Sequence, residues 1–222
     1  MKYLTKFETE EAYKAFIASS EFISPNVSLV AGTVKYEPNW GVYIQHIDGS
    51  LYTTDEWTAR EFTSNLANGV AVINKKSSFV IATQNVSSGV WSAQTSVLVE
   101  GVMTTTDSVA AKTDFAGAAN TALIVALGNS GCAYNCTKYT FPNGQKGYLP
   151  ALGEWQIAYD NKAAIVAAMA LIGGVAIGDR MWSSTQIDTM GAWVTSFNSG
   201  EAISSYFKRD NCGARPFAEL KI

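Results

Sequence analysis

The order of secondary-structure signals predicts an α+β protein. Short strand-like runs come first, helical stretches follow in the middle, and strand-like runs return at the end, without the regular alternation that builds a parallel sheet. The composition agrees. Of 222 residues, 47% are hydrophobic and only 16% charged, the balance of a folded chain. Six tryptophans, Trp40, Trp57, Trp91, Trp155, Trp182 and Trp193, are spread along its length.

A small leading module is expected over residues 1–54 and a larger domain over 55–222. In the first, Thr9 caps a helix with Glu10 and Glu11 in its opening turn and Ala12 and Phe16 on an apolar stripe. Residues 23–30 alternate, Ala31-Gly32-Thr33 turns, and Val34-Lys35-Tyr36 returns, which predicts a hairpin. In the larger domain, 70–73 and 78–82 flank Asn74-Lys75-Lys76-Ser77 as another hairpin, and 97–102 reads as a short strand. A helix starts at Asp114 and stops at Gly128-Asn129, and a loop carrying Cys132 and Cys136 leads on to Tyr148. Beyond Leu149-Pro150 a longer helix places Trp155, Ala158, Tyr159, Lys162 and Val166 at helical spacing until Gly173-Gly174. Strands are then expected at 180–183, 192–197, 201–207 and 214–220, with Asn198-Ser199-Gly200 turning between the middle pair.

Charge and cysteine usage narrow the function classes. The net charge is −3, and no basic cluster is denser than Lys75-Lys76 or Lys208-Arg209, so no nucleic-acid partner is expected. Three cysteines and one histidine, His46, give neither a disulfide framework nor a zinc set. Cys132 and Cys136 read as a loop pair of thiols or a local disulfide, His46 as structural or solvated, and no cofactor or metal is expected. The start of the chain lacks the apolar core of a secretory leader. The apolar run 163–178 is shorter than the ~20 residues of a membrane span and contains Gly173-Gly174, so no membrane insertion is expected.

The C-terminal stretch is the most informative. Gly147-Tyr148-Leu149-Pro150-Ala151-Leu152-Gly153-Glu154-Trp155, then Trp182-Ser183-Ser184-Thr185-Gln186, Ala192-Trp193 and Arg215-Pro216-Phe217 resemble the C-type lectin-like fold of variable proteins from diversity-generating retroelements of Bacteroides and gut phages. The resemblance covers roughly residues 55–222. It implies two helices packed beside small twisted antiparallel sheets, preceded here by a helix-plus-hairpin module. It also implies a ligand-binding face whose codons a retroelement rewrites. Trp182, Ser183, Ser184, Thr185, Trp193, Gly200, Arg215 and Pro216 would then be scaffold. The displayed positions would be Ile187, Asp188, Met190, Val194, Ser196, Asn198, Glu201, Ser204, Tyr206, Phe207, Arg209, Asp210, Asn211 and Cys212. The implied partner is a protein or glycan on a cell surface, and the implied location is a virion or cell surface. The leading module would serve as a mounting piece for virion assembly or a homo-oligomer.

The residues themselves sharpen this. Alternation along 192–197 places Trp193, Thr195 and Phe197 on a core face and Val194 and Ser196 outward. Of Tyr206 and Phe207, one should point inward and one be displayed. Tyr, Phe and Arg at 206–209 match the residue types of binding hot spots. Arg215 reads as a buried scaffold residue, with Asp179 or Glu154 as candidate partners. Sugar-binding lectins of this fold usually carry a Glu-Pro-Asn or Gln-Pro-Asp triplet, and residues 55–222, which carry the resemblance, contain neither. No catalytic set is visible, so the reading is non-enzymatic. An enzyme of the formylglycine-generating type is the rival, since it shares the fold and uses late cysteines; Cys212 would need Lys208 or Arg209 to activate it. A structural, pilin-like surface protein is the third reading.

Overall fold

A computed structural model describes residues 27–30, 33–36 and 40–220. The chain divides into two units, residues 1–41 and 42–222. In the first, β1 (Val27–Val30) and β2 (Thr33–Tyr36) pair antiparallel, with Val30 opposite Thr33. That is the hairpin expected from the alternation. The helix expected from Thr9 lies outside the described residues.

The second unit is α+β, the class read from the sequence. It opens with β3 (Gly41–His46) and β4 (Leu51–Tyr52), then α1 (Thr54–Ala59), whose start is fixed by a capping box between Thr53 and Glu56. Next come the hairpin strands β5 (Ala67–Ile73) and β6 (Phe79–Ile81), and β7 (Val86–Gly89). Helices α2 (Ser108–Ala111), α3 (Gly117–Val125), α4 (Gly131–Lys138), α5 (Leu152–Asp160) and α6 (Lys162–Leu171) fill the middle. The chain ends in β8 (Arg180–Gln186), β9 (Ala192–Ser196), β10 (Ala202–Ile203), β11 (Cys212–Ala214) and β12 (Phe217–Glu219).

These strands build two five-stranded sheets, ordered β12-β6-β5-β3-β4 and β10-β9-β8-β11-β7. The pairs β3–β4, β5–β6, β6–β12, β8–β9, β9–β10 and β7–β11 are antiparallel, and β11 runs parallel to β8 through Gly213 and Met181. The boundary drawn at residue 54 from sequence therefore moves. β3 and β4 hydrogen-bond within the larger unit's sheet, and His46 packs there against the rings of Tyr52, Trp57 and Phe62.

Several elements differ from expectation for identifiable reasons. The long helix is two helices that meet at Asn161, whose side-chain amide donates to the carbonyl of Ile157. The cysteine loop is a helix, because Cys132, Ala133 and Cys136 form one buried stripe. The run 97–102 is not a strand: the N–H and C=O of Val99 bond the side-chain amide of Gln186 instead of a ladder partner.

The chain passes between the sheets twice, from β6 to β7 and from β11 to β12, and Arg215 sits on the second passage. It is fully buried, and its guanidinium donates to the carbonyls of Ala82, on the first passage, and of Val175 and Ala176 after α6. Its partners are thus backbone carbonyls rather than Asp179 or Glu154. Asp179 accepts from Ser196. Glu154 accepts from the Ala151 N–H, the Tyr148 hydroxyl and the Ser77 hydroxyl. Burial raises the Glu154 carboxyl to about 8, so near pH 7 it is mostly protonated.

Two outcomes follow. Arg215→Leu leaves three carbonyls without a donor and should lower the urea unfolding free energy by about 3 kcal/mol. The folded state holds the Glu154 proton between its ordinary 4.5 and about 8. Its contribution is therefore complete below the lower value and is lost as pH rises through the upper one. Thermal or urea titrations across pH 5–8 should show stability falling by up to about 1.4 kcal/mol per pH unit, and Glu154→Gln should flatten that slope.

Candidate recognition face

The C-terminal face is organised by β8, a strand with a polar sequence and no exposure. Ser183, Ser184, Thr185 and Gln186 are all fully buried, so each polar atom needs an internal partner. The Ser183 hydroxyl donates to the Trp193 carbonyl at 2.9 Å. Ser184 accepts from the Asn120 amide, and Thr185 donates to Asp114 while accepting from the Leu152 N–H. The strand carbonyls take the indole N–H groups of neighbouring tryptophans, Trp91 on Ser183 and Trp155 on Trp182. The scaffold role expected of Trp182 through Thr185 is what these contacts describe. Gly200 is scaffold as well: it has a φ of +75°, and a Cβ there would lie 2.2 Å from the Tyr159 ring.

Gln186 carries this order outward. Its side-chain oxygen accepts from the Val99 N–H at 2.9 Å and from the Lys208 ammonium at 2.7 Å. Lys208 has no exposed surface. Its ammonium also donates to the carbonyls of Val97 and Thr189 and lies 4.7 Å from the centre of the Trp91 ring. Its backbone N–H donates to Met190 and its carbonyl accepts from Trp91. One lysine thus ties together residues 97–99, the β8–β9 turn at 187–191 and the loop 204–211. Burial, opposed by Asp188, brings its ammonium down to about 8.

Around this clamp the expected display positions sort into three groups. Asp188, Met190, Phe207, Arg209 and Asn211 are exposed, and Asp210 is half-exposed. The two segments meet through the bridge between Gly191 and Phe207. Asn198 and Glu201 are exposed too, but lie beyond the other end of β9, about 14 Å along the strand at 3.4 Å per residue. Ser204, also exposed, follows β10 between the two ends.

The third group corrects the sequence reading. Ile187, Val194, Ser196 and Cys212 are buried. Val194 packs with Trp91 and Trp182 in one core cluster while Phe197 packs with Trp155 in another. The sheet is covered on both faces, so alternation along β9 chooses between two cores rather than between core and solvent. Ser196 is held by its bond to Asp179, and Ile187 packs on Trp193 and Leu152. Tyr206 and Phe207 divide as expected: Tyr206 is half-buried edge-on to Trp182, and Phe207 is 46% exposed.

The exposed end presents a particular chemistry. Met190 is 39% exposed, and the Arg209 guanidinium lies 5.1 Å from the centre of the Phe207 ring. The carboxylates of the same loops are engaged by backbone: Asp188 accepts from the N–H groups of Met190 and Gly191, and Asp210 from that of Phe207. They fix the turns that project Met190, Phe207 and Arg209.

All three cysteines are free and buried. Burial raises Cys212 to about 12, with Asp210 adding to the rise, and Cys132 to about 11. The ammonium of Lys208 is committed to Gln186, Val97 and Thr189, so it does not supply the activation that a thiolate at Cys212 would need.

Among the described residues, no helix is long and apolar enough to cross a membrane. The sequence matches no protein-family model and no curated protein sequence. Its fold is similar to that of a fimbrial protein from Bacteroides ovatus ATCC 8483, at a TM-score of 0.57 and 15% identity. The match covers 86% of this chain and 51% of the fimbrial protein, so the chain spans about half the length of that neighbour. At that identity the likeness shows a common fold.

Lys208 was missed as an organiser because its partners lie far away in sequence, with Val97 111 residues upstream. Lys208→Met removes a buried charge together with its hydrogen bonds. These effects oppose each other, so global stability should change by less than about 2 kcal/mol. The loops should loosen nonetheless. Amide hydrogen exchange should show at least a roughly tenfold loss of protection at the Lys208 position, whose N–H bonds Met190, with core amides unchanged.

Proposed function

We propose that this chain is a non-enzymatic surface-recognition protein whose contact face is formed by residues 188–190 and 207–211. The supporting observation is the Lys208 clamp. It presents an exposed methionine and an arginine-stacked phenylalanine on fixed loops, residue types enriched at protein interfaces, and pre-organisation lowers the entropy lost on binding. The fimbrial fold neighbour supports a place on a cell surface. The ligand in this reading is a protein or glycan of another surface. C-type lectin-like ancestry and retroelement diversification belong to the same proposal, with variation confined to exposed positions that do not hold a turn: Met190, Ser204, Phe207, Arg209 and Asn211, with Asn198 and Glu201 at the far end of β9.

The binding claim is tested with purified protein against intact bacterial cells and a panel of immobilised glycans. The triple variant Met190→Ala, Phe207→Ala, Arg209→Ala should keep its circular dichroism spectrum and lose at least tenfold in affinity, at about 1–2 kcal/mol per hot-spot side chain. Equal binding by the triple variant would refute the face. Diversification is tested in the neighbouring DNA: a near-copy of the 3′ coding end, differing at adenines and adjoining a reverse transcriptase gene, is the expected finding.

A second reading, a structural subunit of a surface filament, is favoured by the fimbrial neighbour alone. It requires self-association that rises with concentration in sedimentation velocity and that the triple variant leaves intact.

A further inference from the structure

Away from the recognition face, a cavity of about 380 Å³ opens beside the turn joining β5 and β6. That is within the range of small-molecule sites. Tyr148 and Glu154, both buried, form its floor and exposed Glu219 its rim, and Ser77 and Phe115 also line it. The floor is fixed from three directions: Glu154 receives the Tyr148 hydroxyl at 2.9 Å, the Ser77 hydroxyl at 3.3 Å and the Ala151 N–H at 2.8 Å. Gly117 is required against it, since a Cβ there would stand 2.1 Å from a Glu154 oxygen.

With Glu154 ionised, the polar side chains at the inner end of this cavity are acceptors. The Tyr148 and Ser77 hydroxyl protons are directed to Glu154, which leaves their own lone pairs for a ligand; three of the carboxyl's four acceptor sites are taken by Tyr148, Ser77 and Ala151, and loss of its proton frees the fourth. Glu219 at the rim is an exposed carboxylic side chain. Asp114 adds negative potential at Glu154, although its own oxygens are engaged by Ala116, Asn120 and Thr185. Among the described residues, Lys76 is a cation close by, its ammonium 5.6 Å from the centre of the Phe115 ring. A carboxylate ligand would bring no donor and would compete with Glu154 for the Tyr148 and Ser77 hydroxyls, and a neutral alcohol would bring one donor and no charge. An ammonium brings three donors and the opposite charge. Apolar walls at Phe115, Ala119 and Leu220 would cover a short alkyl chain.

We propose that this cavity binds a primary alkylammonium group, its nitrogen on Glu154 and Tyr148 and its carbon chain along Phe115 and Ala119. Glu154 is protonated near pH 7, so binding converts its carboxyl to carboxylate and releases that proton to solvent, and the bound pair is ammonium with carboxylate. The site is independent of the recognition face.

Isothermal titration of the full chain with n-butylamine, in buffers of different ionisation enthalpy, tests this. Butylammonium should bind in roughly the millimolar range expected of so few atoms, release close to one proton at pH 7, and bind at least about tenfold tighter at pH 8 than at pH 6. n-Butanol and butyrate should bind at least tenfold more weakly. Ala119→Phe, at an exposed wall position, should abolish binding with the fold intact, and Tyr148→Phe should weaken it. Equal affinity for butanol, absence of proton release, or unchanged binding by Ala119→Phe would each overturn the proposal. So would failure of butylamine to bind at all.

Discussion

Burial of a polar strand is the constraint from which the rest of this structure follows. Ser183 through Gln186 have no access to water, and a buried donor or acceptor without a partner costs about 1–3 kcal/mol. Every element around β8 is therefore placed to answer it: Asn120 on α3, Asp114 before it, Leu152 at the start of α5, and the irregular segment 97–105. Apolar contacts supply most of the driving force, but they are tolerant of shape. The hydrogen bonds of β8 are directional, and they set which helix lies where.

The same strand explains why the exposed end can be irregular and still ordered. Loops usually move because few buried contacts restrain them. Here the loops on either side of Phe207 return to Gln186 through a single ammonium, and their carboxylates close local turns. The opposite end of β9 is held differently, by Ser196 with Asp179 and by Gly200 beneath Tyr159. The two ends of the strand are separate surfaces with separate supports, and a ligand covering one need not reach the other.

Much of this was legible in the sequence where the signal is local. The hairpins 27–36 and 67–81, the strands β8 and β9, and the scaffold residues Trp182 to Thr185 follow from alternation, turn residues and the resemblance of the Trp-Ser-Ser-Thr run. What was lost depends on partners distant in the chain. Val194 and Ser196 read as outward because a period of two identifies faces without saying what covers them. Helix α4 read as a loop because glycine, asparagine and cysteine lack helix propensity, and its stripe is only three residues wide. Lys208 read as one charge among several, since nothing near it announces three acceptors on separate segments.

Under the proposed diversification, that lysine would also have a meaning at the level of the gene. Lysine triplets begin with two adenines, so a mutator that rewrites adenines would find position 208 among its easiest targets. Yet it is the position at which change would unfasten the two neighbouring loops together. A sequence could vary freely at 207, 209 and 211 and still keep its shape only if the intervening codon were spared. The clamp thus divides the stretch into letters that can be exchanged and one that carries the grammar of the fold.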